Sequence, residues 1–306
     1  MDSFDFFRAA AANMRYNHTL LSRQGDGFTR RKRFWSVCMI TLRETCRKAP
    51  QLGMNYSYPA PGIIERLAKD WDWFWIDGQH GQLDYADILS AVRVCNAAGR
   101  AAIVRVPDHS YGMIGKVLDT APDGIMVPLV ETAEQAREVV QAVKFPPVGN
   151  RSYGSRRVID LHGRRYDHGY DNPILIAQIE TRKSVDNLEQ IARVEGIDCL
   201  FIGLDDMAMR DGTDMGKIDL DVYDPMLKQV ADATKKHGLI AGGVFTSLPR
   251  LTKACQMGYS LIASCGDVGL LAGASANLSS QFKNHVNENG SAGEKNGKAA
   301  QGASIY

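Results

Sequence analysis

The sequence of 306 residues lacks several features that would assign it to a class of protein at once. It carries almost no net charge, since 36 lysines and arginines balance 35 aspartates and glutamates to give +1 with neutral histidines. Such a balance provides no overall field to hold nucleic acid or an anionic membrane surface, so neither partner is expected. Its apolar runs are much shorter than the roughly 20 residues that span a bilayer.

Cysteine is scarce and scattered. The six residues form no CxxC pair and no Cys/His cluster at zinc spacing; they are Cys38, Cys46, Cys95, Cys199, Cys255 and Cys265. In a chain of this length they are expected to be buried thiols of a reducing compartment. The first residues show no apolar core of secretory type, and Asp2 and Asp5 disfavour a transit peptide. The sequence therefore favours the cytoplasm.

Both ends of the chain differ in composition from its middle. Residues 1–33 are predicted to be an extension whose basic run, Arg30 to Arg33, is a solvated lead-in to the first strand. Residues 287–306 are rich in Gly, Asn, Lys, Ala and Ser, so they are predicted to be a flexible tail. A single folded domain is expected over residues 34–286.

Short apolar runs alternate with helical patterns through this domain. The runs predicted as strands are Phe34–Ile40, Trp73–Ile76, Ala101–Val106, Gly124–Val127, Ile174–Ile179, Cys199–Ile202, Leu239–Val244 and Leu261–Ala263. They are apolar on both faces, as parallel strands covered by helices are. About eight βα units in roughly 250 residues predict a (β/α)8 TIM barrel. A doubly wound open sheet is the alternative, disfavoured because no G-x-G-x-x-G loop follows the first strand.

Polar residues cluster where the predicted strands end. The active site of such a barrel is built at the carboxyl ends of its strands. The candidates at those ends are Asp77, His80, Arg105, Gln178, Glu180, Asp205 and Asp206. We expect them to converge on one rim, although an aspartate after a strand also serves as a helix cap and His80 alone also fits a hydrogen-bonded loop residue.

Two of these candidates are carboxylates about one βα unit apart, so they would lie on neighbouring strands. Glu180 and Asp206 would repel each other unless a cation or a shared proton relieved them. Oxygen ligands without Cys or paired His favour Mg²⁺ or Mn²⁺ over zinc. Arg105, at the end of an apolar strand, requires an anionic partner.

Several motifs in order along the chain resemble one family. Asp77-Gly78-Gln79-His80, Arg105, Gln178-Ile179-Glu180-Thr181-Arg182 and Gly203-Leu204-Asp205-Asp206 together resemble the HpcH/HpaI aldolases. These are metal-dependent (class II) pyruvate aldolases on a TIM barrel, and macrophomate synthase is a relative. The resemblance covers about residues 58–282, including Val127-Pro128-Leu129-Val130 and the segment Phe145 to Arg151.

The resemblance implies a role for each candidate. Glu180 and Asp206 would bind the divalent metal, Mg²⁺ first with Mn²⁺ or Co²⁺ as alternatives. His80, with its ring held in one tautomer by Asp77, would be the acid/base group, and Arg105 would contact the keto oxygen and the enolate. The substrate site would be lined by Gln178, Gly203, Leu204 and Asp205.

The implied reaction forms a pyruvate enolate and adds it to a carbonyl acceptor such as an aldehyde or a 2-oxo acid, or runs the reverse cleavage. Decarboxylation of oxaloacetate would give the same enolate. The family also implies a homo-oligomer, as a hexamer, trimer or dimer. A CoA-ester lyase of the citrate-lyase β type is the alternative within enzymes, and a non-catalytic barrel that binds a small acid is the alternative outside them.

The sequence departs from the family pattern at three places. Gln79 replaces an acidic residue beside His80, which puts a direct copy of the proton relay in doubt. Leu204 replaces a proline, and Asp205 adds a carboxylate next to Asp206, so that spacing favours Asp206 as the ligand without deciding it. Residues Thr41 to Tyr56 read as an extra segment between the first strand and its helix, expected to form a lid over the rim or an oligomer contact.

Overall fold

The protein folds into a closed barrel. The structure, a computed structural model, describes residues 41–164, 173–216 and 219–290. Within them eight parallel strands pair in chain order, and the eighth pairs with the first. The strands are β1 (Gln51–Tyr56), β2 (Trp73–Asp77), β3 (Ala101–Arg105), β4 (Gly124–Val127), β5 (Ile174–Ile179), β6 (Cys199–Ile202), β7 (Ile240–Val244) and β8 (Tyr259–Gly266). The predicted (β/α)8 barrel is confirmed.

Helices alternate with the strands. In chain order they are α1 (Thr41–Lys48), α2 (Gly62–Leu67), α3 (Tyr85–Ala97), α4 (Tyr111–Leu118), α5 (Ala133–Val143), α6 (Arg156–His162), α7 (Arg182–Asp186), α8 (Leu188–Ala192), α9 (Leu204–Arg210), α10 (Asp224–His237), α11 (Leu248–Met257) and α12 (Asp267–Gly290), with a 3-10 turn over Leu220–Tyr223. Among the described residues, no helix combines the length and apolar character needed to cross a membrane.

The first strand of the barrel differs from the predicted one. The predicted strand Phe34–Ile40 lies outside the described residues, and the barrel begins instead with Gln51–Tyr56. This strand alternates polar and apolar residues, so it contains no hydrophobic run from which a strand could be predicted. Gly53 supplies room within it, because a Cβ there would lie 2.1 Å from the indole of Trp73. The large ring on β2 thus takes the space that a side chain on β1 would fill.

The segment before this strand covers the opposite end of the barrel from the predicted rim. Leu42 and Cys46 of α1 are buried in the same cluster as the side chains of the barrel interior. Arg43 pairs with Asp198, which immediately precedes β6, at 2.9 Å. The expectation that residues 41–56 form a lid over the carboxyl-end rim is therefore wrong: they form a helix at the amino ends of the strands and the first strand itself.

Two hydrophobic clusters hold the barrel together. The inner cluster fills the barrel with side chains such as Trp73, Trp75 and Phe201. The outer cluster joins the other faces of the strands to the helices, for example Met54 and Ile76 to Ile88 of α3. Because both faces of each strand are covered, the polar groups at the carboxyl ends of the strands are the part of the barrel open to a ligand.

The described chain ends in a long helix that leaves the barrel. Asp267 fixes its start, because the carboxylate of Asp267 accepts N–H bonds from Ser57 at 3.0 Å and Tyr58 at 2.9 Å. The helix continues to Gly290, so the predicted tail over residues 287–306 begins inside it. Residues 291–306 and the predicted extension over residues 1–33 lie outside the described residues.

Candidate active site

The fold brings the predicted candidates to one rim. Asp77 and Arg105 are the last residues of β2 and β3, and they are register partners in the ladder. Gln178 and Glu180 lie at the end of β5, and Gly203 follows β6. Since these strands are parallel members of one barrel, their carboxyl ends meet at the same opening.

Asp77 and Arg105 form a buried two-point ion pair. The Nε of Arg105 donates to one carboxylate oxygen at 3.0 Å, and its Nη2 donates to the other at 2.6 Å. Burial alone raises the pKa of Asp77, but the hydrogen bonds and charge of Arg105 outweigh it and hold that pKa below its usual value. Asp77 is therefore a carboxylate that fixes the guanidinium, the anionic partner that Arg105 was predicted to need.

This pairing leaves one nitrogen of Arg105 for a ligand. Its guanidinium lies 4.5 Å from the ring centre of Trp75, which supports it from the barrel interior. Asp77 binds Nε and Nη2 of Arg105. The third nitrogen, Nη1, has no hydrogen-bond partner among the described residues. Arg105 thus offers a fixed positive donor at the rim.

His80 is placed differently from the prediction. Its main-chain N–H, not its ring, donates to Asp77 at 3.1 Å, and Gln79 makes the same contact. The His80 side chain is exposed, and its ring has no partner among the described residues. The prediction that Asp77 orients the His80 ring is therefore wrong, because the Asp77 carboxylate is occupied by Arg105 and two main-chain donors.

Glu180 is a second buried carboxylate of the rim; like Asp77, it has 4% of its surface exposed. Burial raises its pKa to about 6, against the opposing effects of a hydrogen bond from the Leu129 N–H and the charge of Arg105, while Asp206 raises it further. The Leu129 N–H donates to Oε2 at 3.0 Å. Glu180 is a buried acid whose negative charge is incompletely compensated by the surrounding protein.

The other carboxylate oxygen of Glu180 lies beside Gly203. A Cβ at Gly203 would come within 2.7 Å of Oε1 and 2.9 Å of Cγ, so the glutamate occupies the space that a side chain would need. The Gly203 N–H is already bonded to the carbonyl of Ile179 at 3.0 Å. The site therefore requires glycine at position 203, because any larger residue would collide with the Glu180 side chain.

The two adjacent aspartates of α9 differ in exposure. Asp205 is exposed and Asp206 is half-buried, because Leu204, Met207 and Ala208 form the buried side of this short helix. Asp206 is also the aspartate whose charge contributes to the raised pKa of Glu180. Both observations favour Asp206 over Asp205 as the partner of Glu180.

Two amide side chains at the rim carry unused acceptors. Gln178, with 1% of its surface exposed, has an Oε1 without a hydrogen-bond partner among the described residues. The Oε1 of Gln79 is also buried and also lacks a hydrogen-bond partner among these residues. A buried amide oxygen without a donor is costly, so each of these groups is suited to a ligand that supplies one.

The donor set fits a hard cation. Glu180 and Asp206 offer carboxylate oxygens, and the raised pKa of Glu180 is the effect that a nearby positive ion would reverse. In the described ranges no group of three or more His, Cys, Asp or Glu side chains could hold a metal. A cation bound by two carboxylates must therefore complete its shell with substrate or water oxygens, as Mg²⁺ does readily and structural zinc does not.

The sequence did not reveal the contacts that hold Glu180. One is the main-chain N–H of Leu129, a contact that cannot be predicted from the identity of the side chain. The peptide unit that carries this N–H makes a second contact, between its Pro128 carbonyl oxygen and Nε2 of His109. The segment Val127-Pro128-Leu129-Val130 was part of the family resemblance, but its function as the support of a carboxylate is visible only in the structure.

Comparisons with known proteins agree with this architecture. A family model described as HpcH/HpaI aldolase/citrate lyase matches residues 60–274. A 4-hydroxy-2-oxovalerate aldolase of Novosphingobium aromaticivorans is 41% identical over 177 residues, which cover 56% of this chain and 68% of that protein. A hydroxypyruvate/pyruvate aldolase of Deinococcus radiodurans is 31% identical over 270 residues, covering 84% of this chain and 92% of that one.

Solved structures give the same result. An HpcH/HpaI aldolase/citrate lyase family protein of Burkholderia cenocepacia superposes with a TM-score of 0.74 at 28% identity, covering 79% of this chain and 99% of that one. Macrophomate synthase shares the fold, with a TM-score of 0.72 at 23% identity over 83% of this chain and 90% of its own. The expectation of an aldolase-type enzyme is confirmed by these relatives. The chain belongs to the HpcH/HpaI aldolase/citrate lyase family.

Proposed function

We propose that this aldolase is divalent-metal dependent, forms a pyruvate enolate and adds it to an aldehyde or 2-oxo acid, or runs the reverse cleavage. The observation that carries the proposal is the buried Glu180, whose pKa is raised to about 6 beside Asp206 and opposite the fixed Arg105. A carboxylate kept in such a place needs a function that repays its burial. The relatives that act on pyruvate and hydroxypyruvate support the choice of substrate.

Glu180 and Asp206 would hold the metal, with Mg²⁺ first and Mn²⁺ or Co²⁺ as alternatives. The bound cation would supply Lewis-acid stabilisation of the negative charge that develops on the keto oxygen of the substrate. Gly203 leaves the space that the Glu180 side chain occupies. No third protein ligand is required, because the substrate and water supply the remaining oxygens.

Arg105 provides the protein's own charge stabilisation. Its Nη1 would bind the substrate, while Asp77 and Trp75 hold the rest of the guanidinium. A preorganised cation of this kind lowers the barrier because it requires no reorientation as the enolate forms. The main-chain N–H groups of Leu204 and Asp205 would bind the carboxylate of the substrate, and the unpaired amide oxygen of Gln178 would accept a hydrogen bond from a hydroxyl group of the acceptor or from water.

His80 is the proposed acid/base group, acting from an exposed position. An imidazole is suited to move a proton near neutral pH between the methyl carbon of pyruvate and the oxygen of the acceptor. Because its ring is not oriented by Asp77, His80 must be oriented by the substrate or by water. Oxaloacetate would give the same enolate by loss of CO₂, and Arg105 would stabilise it in the same way.

Exchange of the pyruvate methyl protons in D₂O tests the proposal. Followed by proton NMR with Mg²⁺ or Mn²⁺, the wild type should exchange, and excess EDTA should stop the exchange until metal is restored. Glu180→Gln should abolish it, while Glu138→Gln, an exposed glutamate on α5, should leave it unchanged. Exchange that persists under chelation, or in Glu180→Gln, would contradict the proposal.

The last helix supports a homo-oligomer. From Val268 onward α12 is almost entirely exposed, and its large apolar residues lie in solvent; they are Val268, Leu270, Leu271, Leu278, Phe282 and Val286. An exposed apolar surface of this extent is typical of an interface. We expect light scattering to give a multiple of 33.7 kDa, and Leu271→Asp with Phe282→Asp to reduce it.

The five described cysteines are free thiols, which supports a reducing compartment and hence the cytoplasm.

A further inference from the structure

His109 is linked to Glu180 through a single peptide unit. The Nε2 of His109 contacts the carbonyl oxygen of Pro128 at 2.5 Å. The amide of that same peptide unit is the N–H of Leu129, which donates to Oε2 of Glu180 at 3.0 Å. Because a carbonyl oxygen can only accept, Nε2 of His109 must carry the hydrogen. We propose that His109 is a positioning residue, which holds the Pro128–Leu129 peptide in the orientation that binds Glu180.

The peptide needs such a support because its backbone is in an unfavourable conformation. Leu129 has φ of +53°, in the left-handed region that residues with a branched side chain seldom adopt. A residue in this region is destabilised relative to the right-handed region, and it persists only where its surroundings fix it. The hydrogen bonds at the two ends of the peptide unit, to His109 and Glu180, are contacts of that kind.

The two hydrogen bonds also reinforce each other. The carbonyl and the amide of a peptide unit share one delocalised system. A donor at the carbonyl oxygen therefore polarises the unit and strengthens the N–H as a donor, as in other hydrogen-bonded chains. The effect on Glu180 is to hold its Oε2, so that Oε1 stays beside Gly203.

The consequence for metal binding rests on the proposed function. Groups that orient a metal ligand from behind typically change metal affinity by about 10–100-fold when removed. His109 does not touch Glu180, so its contribution would be to the geometry of the ligand. His109→Leu removes the donor, whereas His109→Gln keeps an N–H donor at nearly the position of Nε2.

Two measurements on the full-length protein test the inference. In metal-free protein, hydrogen exchange followed by mass spectrometry should show faster exchange of peptides containing Leu129 in His109→Leu, with protection restored in His109→Gln. Titration with Mn²⁺, followed by electron paramagnetic resonance, should show about tenfold or greater weakening in His109→Leu and near wild-type affinity in His109→Gln. Tyr111→Phe is the matched control, because it removes a hydrogen bond to the carbonyl of Asn150 from a neighbouring position.

The outcomes separate this inference from the proposed function. Unchanged protection of Leu129 in His109→Leu would overturn the role of His109, whereas lost protection with unchanged Mn²⁺ affinity would overturn its contribution to metal binding. The same losses in Tyr111→Phe would also overturn it, since they would reflect a general loosening of the loop. A wild type that does not bind Mn²⁺ would refute the proposed function, and the exchange comparison alone would then decide whether His109 supports the peptide.

Discussion

Replacing the central carboxylate should make the metal-free protein more stable while removing its activity. Glu180 is buried with incompletely compensated charge, and burial raises its pKa from 4.5 to about 6. A glutamine in its place has nearly the same shape, carries no charge and can still accept the N–H of Leu129. Glu180→Gln therefore relieves an electrostatic cost that the wild type bears whenever its metal is absent.

The size and the pH dependence of this gain follow from the raised pKa of Glu180. A difference of about 1.5 between the folded and the unfolded pKa corresponds to about 2 kcal/mol. The folded state favours the protonated acid, so the contribution of Glu180 to stability is fully present below pH 4.5 and is lost as the pH rises through about 6. The advantage of Glu180→Gln should therefore be a few tenths of a kcal/mol at about pH 4 and about 2 kcal/mol at about pH 8.

Thermal unfolding in EDTA at several pH values measures this gain. At pH 8 the midpoint of Glu180→Gln should lie a few degrees above that of the wild type, and saturating Mg²⁺ should raise only the wild type. Glu131→Gln is a control of opposite sign. Burial alone raises the pKa of Glu131, but hydrogen bonds from Lys183 and Thr181 lower it overall, so its loss should destabilise the protein at pH 8. A Glu180→Gln midpoint below the wild type at pH 8, or a gain independent of pH, would show that the charge of Glu180 does not destabilise the metal-free protein.

Three further predictions concern the rim. Gly203→Ala should weaken Mn²⁺ binding about tenfold or more, because its methyl group would lie 2.7 Å from Oε1 of Glu180. Gly112→Ala is the control and should leave Mn²⁺ binding unchanged, because a Cβ there has nothing within 4 Å. In calorimetry Asp206→Asn should abolish metal binding, whereas the exposed Asp205→Asn should preserve it. Arg105→Lys should lower kcat about tenfold or more at saturating metal, since an ammonium cannot form the two-point pair. Equal affinities within the glycine or aspartate pair, or an unchanged kcat, would contradict these expectations.

The barrel and the membership of its rim could be predicted from the sequence because they depend on residue type and order. Parallel strands bury both faces, so most of them appear as continuous apolar runs, and the polar residue after each run marks the rim. Arg105 was recognised by the same reasoning, as a charge at the end of an apolar strand. The first strand escaped this reasoning because its inward positions include Gln51, Gly53 and Asn55, which carry no hydrophobic signal.

The pairings within the site could not be predicted, because they depend on register and on the main chain. The family resemblance implied that Asp77 pairs with the ring of His80, three residues away. The ladder instead places Asp77 directly beside Arg105 on the next strand. The turn after β2 brings the main-chain N–H of His80, and not its ring, to the Asp77 carboxylate. Likewise, the donor that holds Glu180 is an amide of the main chain, which every residue except proline possesses.

We propose that Glu180 and Asp206 together bind one divalent cation that also binds the 2-oxo acid. The most direct measurement is an anomalous difference map from crystals grown with Mn²⁺ and pyruvate. We expect one strong peak between the two carboxylates, with the keto and carboxylate oxygens of pyruvate and water in its shell and Nη1 of Arg105 close to the keto oxygen. A peak that involves neither carboxylate, or pyruvate bound at the rim without an ion, would contradict it.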